Sequence, residues 1–402
     1  MFKRPGRFEW FDNQANGTSL RDLEIHNIHP LSAAMILRLL QFIDNQQPTL
    51  DHLAISDCSV DICSIPYLLD SGLLKRVALQ GLIAERNHHP HMWKLHFEKA
   101  IQDIQNSKKR PRKHLSHVDI SRTVLCRDED MKSILRQVVG NNPDLSRLTL
   151  DAEPANQAQG PGIRLWSIQT LGNQLLRVSE LEIWGERSIE WMEELGRLVT
   201  HPKCSLKRLS LHLGSHARAE TLAPFVDGIG RNRTLGSLSI VHEGRNYGFE
   251  TEMLAEIEIL LEAFSNKTAS NNDVSLKSFQ YEGGVDERDS SVEAVLQRLF
   301  DNGLRLEEIK LGHGSHHYMP SYRSFKIQYL ALRSRIWNAT VAGKSLYSIV
   351  QMLIHWKEHG GGQNLDRSMR QQLFFSGLWL SIRDNSRQLV QLAGNERSGI
   401  KQ

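Results

Sequence analysis

The apolar positions of this chain fall into one short pattern, L-x-x-L-x-L, which returns along most of its 402 residues. Ten copies align on their three apolar positions. They are Leu20/Leu23/Ile25, Leu50/Leu53/Ile55, Leu74/Val77/Leu79, Leu115/Val118/Ile120, Leu145/Leu148/Leu150, Val178/Leu181/Ile183, Leu206/Leu209/Leu211, Leu235/Leu238/Ile240, Leu276/Phe279/Tyr281 and Leu306/Ile309/Leu311. Successive copies start 30, 24, 41, 30, 33, 28, 29, 41 and 30 residues apart. Self-similarity at a period of about 20 to 50 residues predicts a repeat solenoid, not a compact domain. The two steps of 41 read as one repeat plus an inserted loop.

Within each copy, an apolar pair two residues apart, such as Leu209 and Leu211, lies on one face of a short strand. The residues between, among them Thr149, Glu182, Ser210 and Ser239, are polar and point to the opposite face. Between strands the period turns helical. Met131, Ile134, Leu135 and Val138 form one stripe; so do Leu222, Phe225, Val226 and Ile229, and Met253, Ile257, Leu260 and Leu261. Turn signals such as Asn141-Asn142-Pro143 and Gly230-Arg231-Asn232 lead from helix to strand. A unit of one helix and one strand cannot bury its own apolar face, so each needs neighbours.

This pattern resembles the ribonuclease-inhibitor-like class of leucine-rich repeat proteins over residues 19 to 317, most clearly from Cys204 to Ile240. Cys58 occupies the position after the strand where that family carries Asn or Cys; Leu82, Glu153, Gly214 and Glu243 depart from it. The resemblance implies an α/β horseshoe with a parallel concave sheet and outer helices. It also implies columns of side chains on the concave face. One column runs Asp22, His52, Arg76, His117, Arg147, Glu180, Arg208, Ser237, Ser278 and Glu308, and its middle is cationic apart from Glu180. In a second column Trp184 stands near Glu182, Arg147, Arg208 and His212. A Trp flanked by arginines is the composition of a binding hot spot. The bland alternative is a Trp folded onto the sheet among ordinary solvated charges. The expected partner-binding set is therefore His117, Arg147, Glu180, Glu182, Trp184, Arg208 and His212.

After about Pro320 the repeat stops. Tyr322, Phe325, Tyr329, Leu332 and Ile336 make one amphipathic stripe, and Leu346, Ile349, Met352, Leu353 and Trp356 a second. A third helical stretch is expected from Asp366 to about Leu392. The chain thus divides into an N-terminal segment (1–18), a solenoid of about ten repeats (19–317), a helical cap or docking module (318–394) and a flexible tail (395–402). A cap is the simpler reading, because a solenoid must shield its last repeat.

Composition narrows the function classes. A net charge of +3 argues against generic binding to polyanions. Four scattered cysteines, an N-terminus without the apolar core of a signal peptide and no apolar run near ~20 residues point to an intracellular, non-membrane protein in the cytoplasm or nucleus. The run Lys108-Lys109-Arg110-Pro111-Arg112-Lys113 reads as a nuclear-import signal or as a solvated loop. The histidine clusters at His88, His89 and His91 and at His313, His316 and His317 lack the supporting ligands of a rigid metal site. No catalytic motif, metal site or cofactor fingerprint emerges. The expected function is a non-catalytic scaffold that recognises a protein partner, with nucleic acid disfavoured and no membrane partner. A substrate-recognition subunit of a ubiquitin ligase is the alternative, and a hydrolytic enzyme the remote one.

Overall fold

A computed structural model of the chain describes residues 20–379, apart from 47–48, 86–89, 107–112, 122–135, 152–171, 186–188, 215–221, 244–249, 269–275, 284–289, 303, 313–321, 342–343, 345, 360–367 and 369. The protein is α/β, and its contacts divide it into two units, Met1–Leu206 and Lys207–Gln402.

In the first unit six strands form a parallel, unclosed array. They are β1 (Asp22–His26), β2 (His52–Ser56), β4 (Arg76–Gln80), β6 (His117–Ile120), β7 (Arg147–Asp151) and β8 (Glu180–Gly185). Two short strands, β3 (Ser59–Asp61) and β5 (Ile83–Glu85), pair beside them. Helices α1 (Ala33–Gln46), α2 (Ile65–Leu69), α3 (Pro90–Asn106) and α4 (Ile189–Thr200) connect the strands, with a further helical turn at 136–141. In the second unit β9 (Arg208–Gly214), β10 (Ser237–Glu243), β11 (Ser278–Glu282) and β12 (Glu308–Gly312) form a parallel array. It carries α5 (Ala223–Arg231), α6 (Glu250–Thr268), α7 (Ser290–Asp301), α8 (Tyr322–Val341) and α9 (Leu346–His359).

Every one of the ten sequence copies carries one of these strands. The copies also pair without slipping: Leu23, Leu53, Val77, Val118, Leu148 and Leu181 lie opposite one another in turn, as do Leu209, Leu238, Phe279 and Ile309. A one-residue slip would turn each apolar pair to the wrong face, so burial fixes the register. Both members of the pair are buried in every strand except the last, where Leu311 is half-buried.

Polar groups repeat along with the apolar ones. At the start of successive strands Ser116 Oγ donates to Lys75 O (3.2 Å), Ser146 Oγ to Ser116 O (3.1 Å) and Ser179 Oγ to Ser146 O (3.0 Å). At the far end, Asn27, Asp57 and Gly81 each follow a strand with φ of 56°, 52° and 61°. A Cβ on Gly81 would sit 2.5 Å from Asp57 Oδ1, so this left-handed corner suits glycine on two counts. Cys58, which follows Asp57, is buried and takes the Ile28 amide on its sulfur at 3.4 Å.

The segments 107–112 and 269–275, where the inserted loops of the two 41-residue steps are expected, lie outside the described residues. The two 41-residue steps hold the longest repeat helices, α3 (17 residues) and α6 (19 residues), whereas the 24-residue step holds α2 (5 residues). At 17 residues α3 exceeds the 14-residue α1 of a 30-residue step by three, so helix length supplies part of the added residues. At ~1.5 Å of rise per residue, a longer helix extends a repeat without disturbing strand spacing.

The single stripe expected of α8 is also incomplete. Leu332, Ile336 and Ala339 pack with Ile349, Leu353 and Leu373 from α9 and the helical segment 370–379. Ile327, Leu330, Ala331 and Ser334 are buried as well. Gln328 Nε2 donates to Ile309 O (3.4 Å) and Arg335 Nη2 to Glu307 O (3.2 Å), at β12 and just before it. The helix therefore holds the last strand as well as the helices that follow.

Candidate functional site

The polar face of the strands in the first unit is not uniformly open. On β1 the outward residues Asp22, Glu24 and His26 are exposed. On β6 and β7 their counterparts Asp119, Ser121, Thr149 and Asp151 are buried. Asp119 is engaged on both oxygens, taking Gln80 Nε2 at 2.6 Å, Ser121 N at 3.0 Å and Ser121 Oγ at 2.7 Å. What stays accessible on every strand is the first outward row: Asp22, His52, Arg76, His117, Arg147 and Glu180. Strand register places these six on adjacent strands in that order.

The row is organised by two carboxylates. Asp22 Oδ1 accepts from His52 Nδ1 at 3.2 Å and from Arg76 Nη2 at 3.0 Å. Glu182 accepts Arg147 Nη2 at 3.3 Å on one oxygen and Trp184 Nε1 at 3.1 Å on the other. The two guanidiniums thus pair toward opposite ends of the row, and His117 lies between them. Its Nε2 is buried without a hydrogen-bond partner. Burial, reinforced by Arg147 and more weakly by His52 and Arg76, holds the His117 imidazole below its ordinary pKa of 6.5; Asp119 opposes the shift.

Of the residues nominated from sequence, Arg147, Glu182 and Trp184 form one hydrogen-bonded group, with His117 and Glu180 on the strands at either side of Arg147. Trp184 is half-buried and tied by its indole N–H, between the exposed and folded-over readings. Arg208 and His212 lie on β9 in the second unit, where His212 Nε2 is 3.4 Å from Ser210 Oγ. Asp22, His52 and Arg76 were read as column members but not as site residues. Asp22 links them, accepting from both His52 and Arg76 across 30 and 54 residues of sequence.

The second unit holds a different polar cluster. His242 Nε2 lies 3.0 Å from Tyr281 Oη and 3.5 Å from Glu256 Oε1, with the His242 and Glu256 side chains only 5% and 3% exposed. The groups come from β10, β11 and α6 and sit on the core side of the sheet. The arrangement ties two strands to a helix.

Among the described residues no group of three His, Cys, Asp or Glu is placed to hold a metal ion. Both histidine clusters fall outside the described side chains. Cys58, Cys63 and Cys204 are thiols. Burial raises all three, and Cys63, beside Asp61, is pushed up to about 12, so none is a thiolate near neutral pH. Cys126 is outside the described residues. So is the basic run except for Lys113, whose ammonium donates to Leu50 O at 2.7 Å and pairs with Asp51 at 2.9 Å. This last lysine of the run is anchored to the fold. No helix among the described residues is long and apolar enough to cross a membrane. Neither a family model nor any curated protein matches this chain.

Proposed function

We propose that the chain is a non-catalytic, protein-binding scaffold of the leucine-rich-repeat kind, which holds its partner on the polar face of the strands. One observation carries this reading. Six consecutive strands present an accessible ionisable side chain at the same position, Asp22, His52, Arg76, His117, Arg147 and Glu180, although the same face is buried deeper along β6 and β7. Core packing explains the leucines of the repeat but asks nothing of this row. An unbroken line of accessible charge and imidazole, ending in the Arg147–Glu182–Trp184 group, has the makeup of a recognition surface. Chemistry finds less support, since the described thiols are protonated and the one buried His–Glu–Tyr cluster is closed to substrate. The ligase reading needs the C-terminal helices to hold an adaptor, whereas α8 is already engaged by the segment at β12 and by the helical cluster.

Affinity capture with the full chain tests the reading, comparing the native protein with an Arg147→Glu, Trp184→Ala double variant. Partners recovered with the native chain should be lost or reduced at least about tenfold with the variant, the scale of a hot spot. Unchanged recovery refutes this face as the binding surface.

A further inference from the structure

The parallel array of the first unit ends at β1, and among the described residues no strand pairs with the outer edge of β1. The ladder to β2 fixes what that edge offers. Arg21 O accepts from His52 N at 3.1 Å, and Asn27 N donates to Ser56 O at 3.2 Å. Asp22 lies opposite His52 and His26 opposite Ser56. A parallel strand turns the amide and carbonyl of every second residue to one neighbour, so Leu23 and Ile25 serve β2. The amides and carbonyls of Asp22, Glu24 and His26 then face away from the sheet. The apolar pair of β1 is also incompletely covered: Leu23 and Ile25 are each 7% exposed, against 0% for Leu53 and Ile55 on β2. An open edge invites pairing, and the first repeat of a solenoid needs a cap.

The residues before β1 fit this edge in register. Asn16-Gly17 is a strong signal for a two-residue hairpin turn. A turn centred there sets Phe11 opposite Asp22, Trp10 opposite Leu23, Glu9 opposite Glu24, Phe8 opposite Ile25 and Arg7 opposite His26. In such a hairpin the residues flanking the turn, Ala15 and Thr18, exchange hydrogen bonds, and every second pair beyond them does the same. The bonded pairs therefore fall on Asp22, Glu24 and His26, the residues whose backbone groups are open. The same register puts Trp10 and Phe8 on the core side, beside the two incompletely covered apolar residues, and Asp12 beside Arg21. Glu9 opposite Glu24 is the one unfavourable pair. A one-residue slip would turn Trp10 and Phe8 to the polar face, so the match is specific. We infer that residues 7–15 fold back on β1 as an antiparallel strand and cap the first unit, a mixed edge that parallel sheets commonly carry. The occupant of the edge is the chain's own N-terminal segment, and the outer row gains Phe11 beside Asp22.

Two measurements on the full chain test this. Glu9→Cys, Glu24→Cys places thiols at directly opposite, outward positions, about 5.5 Å apart at Cα and within disulfide reach. On mild oxidation their intramolecular disulfide, mapped by mass spectrometry, should form at least about tenfold faster than in Arg7→Cys, Asp22→Cys. Those two positions lie about four residues out of register, ~13 Å along the strand. Hydrogen exchange read by NMR should be slow at Asp22, Glu24 and His26, the alternate amides that the hairpin bonds. Gly17→Val, which resists the left-handed turn conformation, should speed these three at least about tenfold and leave the Leu53 and Ile55 amides, bonded to β4, unchanged. Equal disulfide rates for the two pairs overturn the inference. So does a disulfide-linked dimer from Glu9→Cys, Glu24→Cys, which gives the edge to a second copy. Exchange at the three amides that is fast in the native chain, or indifferent to Gly17→Val, overturns it as well.

Discussion

The two units use one repeat geometry and differ in how they use its polar positions. In the first, ionisable side chains line the outer row and the core-side positions of the strands are apolar. In the second, the same row runs Arg208, Ser237, Ser278 and Glu308, and the ionisable groups His242 and Glu256 are in addition buried behind the strands with Tyr281. A repeat position is therefore only an address. What sits there decides whether a charge is offered to a partner or used to fasten the fold.

This contrast can be broken by comparing two carboxylates. Glu256→Ala removes the carboxylate from a buried cluster and leaves His242 with Tyr281 alone, so it should destabilise the protein by about 1–3 kcal/mol. Glu256→Gln, which keeps a group able to hydrogen-bond His242, should cost less. Asp22→Ala, which removes an exposed acceptor from His52 and Arg76, should cost roughly 0.2–1 kcal/mol, the range for surface pairs. Urea unfolding monitored by circular dichroism measures all three. If Asp22→Ala proves as damaging as Glu256→Ala, the outer row is a structural device and its role in recognition loses its main support.

A second prediction of intermediate size concerns the corners that close the strands. Gly81 holds a φ of 61°, and a Cβ there would meet Asp57 Oδ1 at 2.5 Å. Gly81→Ala should cost about 1–2 kcal/mol from the left-handed backbone alone. Asp57→Ala, Gly81→Ala together should recover any part of the loss that comes from the contact with Asp57. If the double variant is no better than the sum of the two single ones, backbone strain is the whole effect.

The strands were legible because their signal is short-range and repeated: an apolar pair two residues apart, ten times over, with polar residues between. Helix length was legible only in part. A longer step between triplets looks the same whether the added residues coil or loop, and the distinction lies in the stripes of α3 and α6. The second buried face of α8 was hidden because Ser334 interrupts Ile327, Leu330 and Ala331, so the pattern showed only the Leu332 and Ile336 side. The His242 cluster had a local signal that went unused. Continuing the alternation one step past Leu238 and Ile240 puts His242 on the core side, where a polar residue demands a partner. The closure of the polar face over Asp119 and Thr149 had no such signal. It depends on what approaches the sheet, not on the strand's own alternation.

The smallest effect is the most specific to the outer row. His117 is held below its ordinary pKa of 6.5, first by burial and then by Arg147, with His52 and Arg76 adding to the shift and Asp119 opposing it. As the pH falls through 6.5 the unfolded chain takes up this proton while the folded chain does not yet do so, and the unfolded state gains. The stability attached to His117 is therefore whole above about 6.5, declines as the pH drops toward the folded value and does not change further below it. His117→Gln should flatten this part of the stability–pH curve in urea titrations between about pH 7 and pH 5. Arg147→Gln should flatten it in part, because burial remains when the nearby cation is gone. A curve for His117→Gln that parallels the native one would mean the imidazole is not desolvated, and the uncompensated position at the centre of the row would disappear with it.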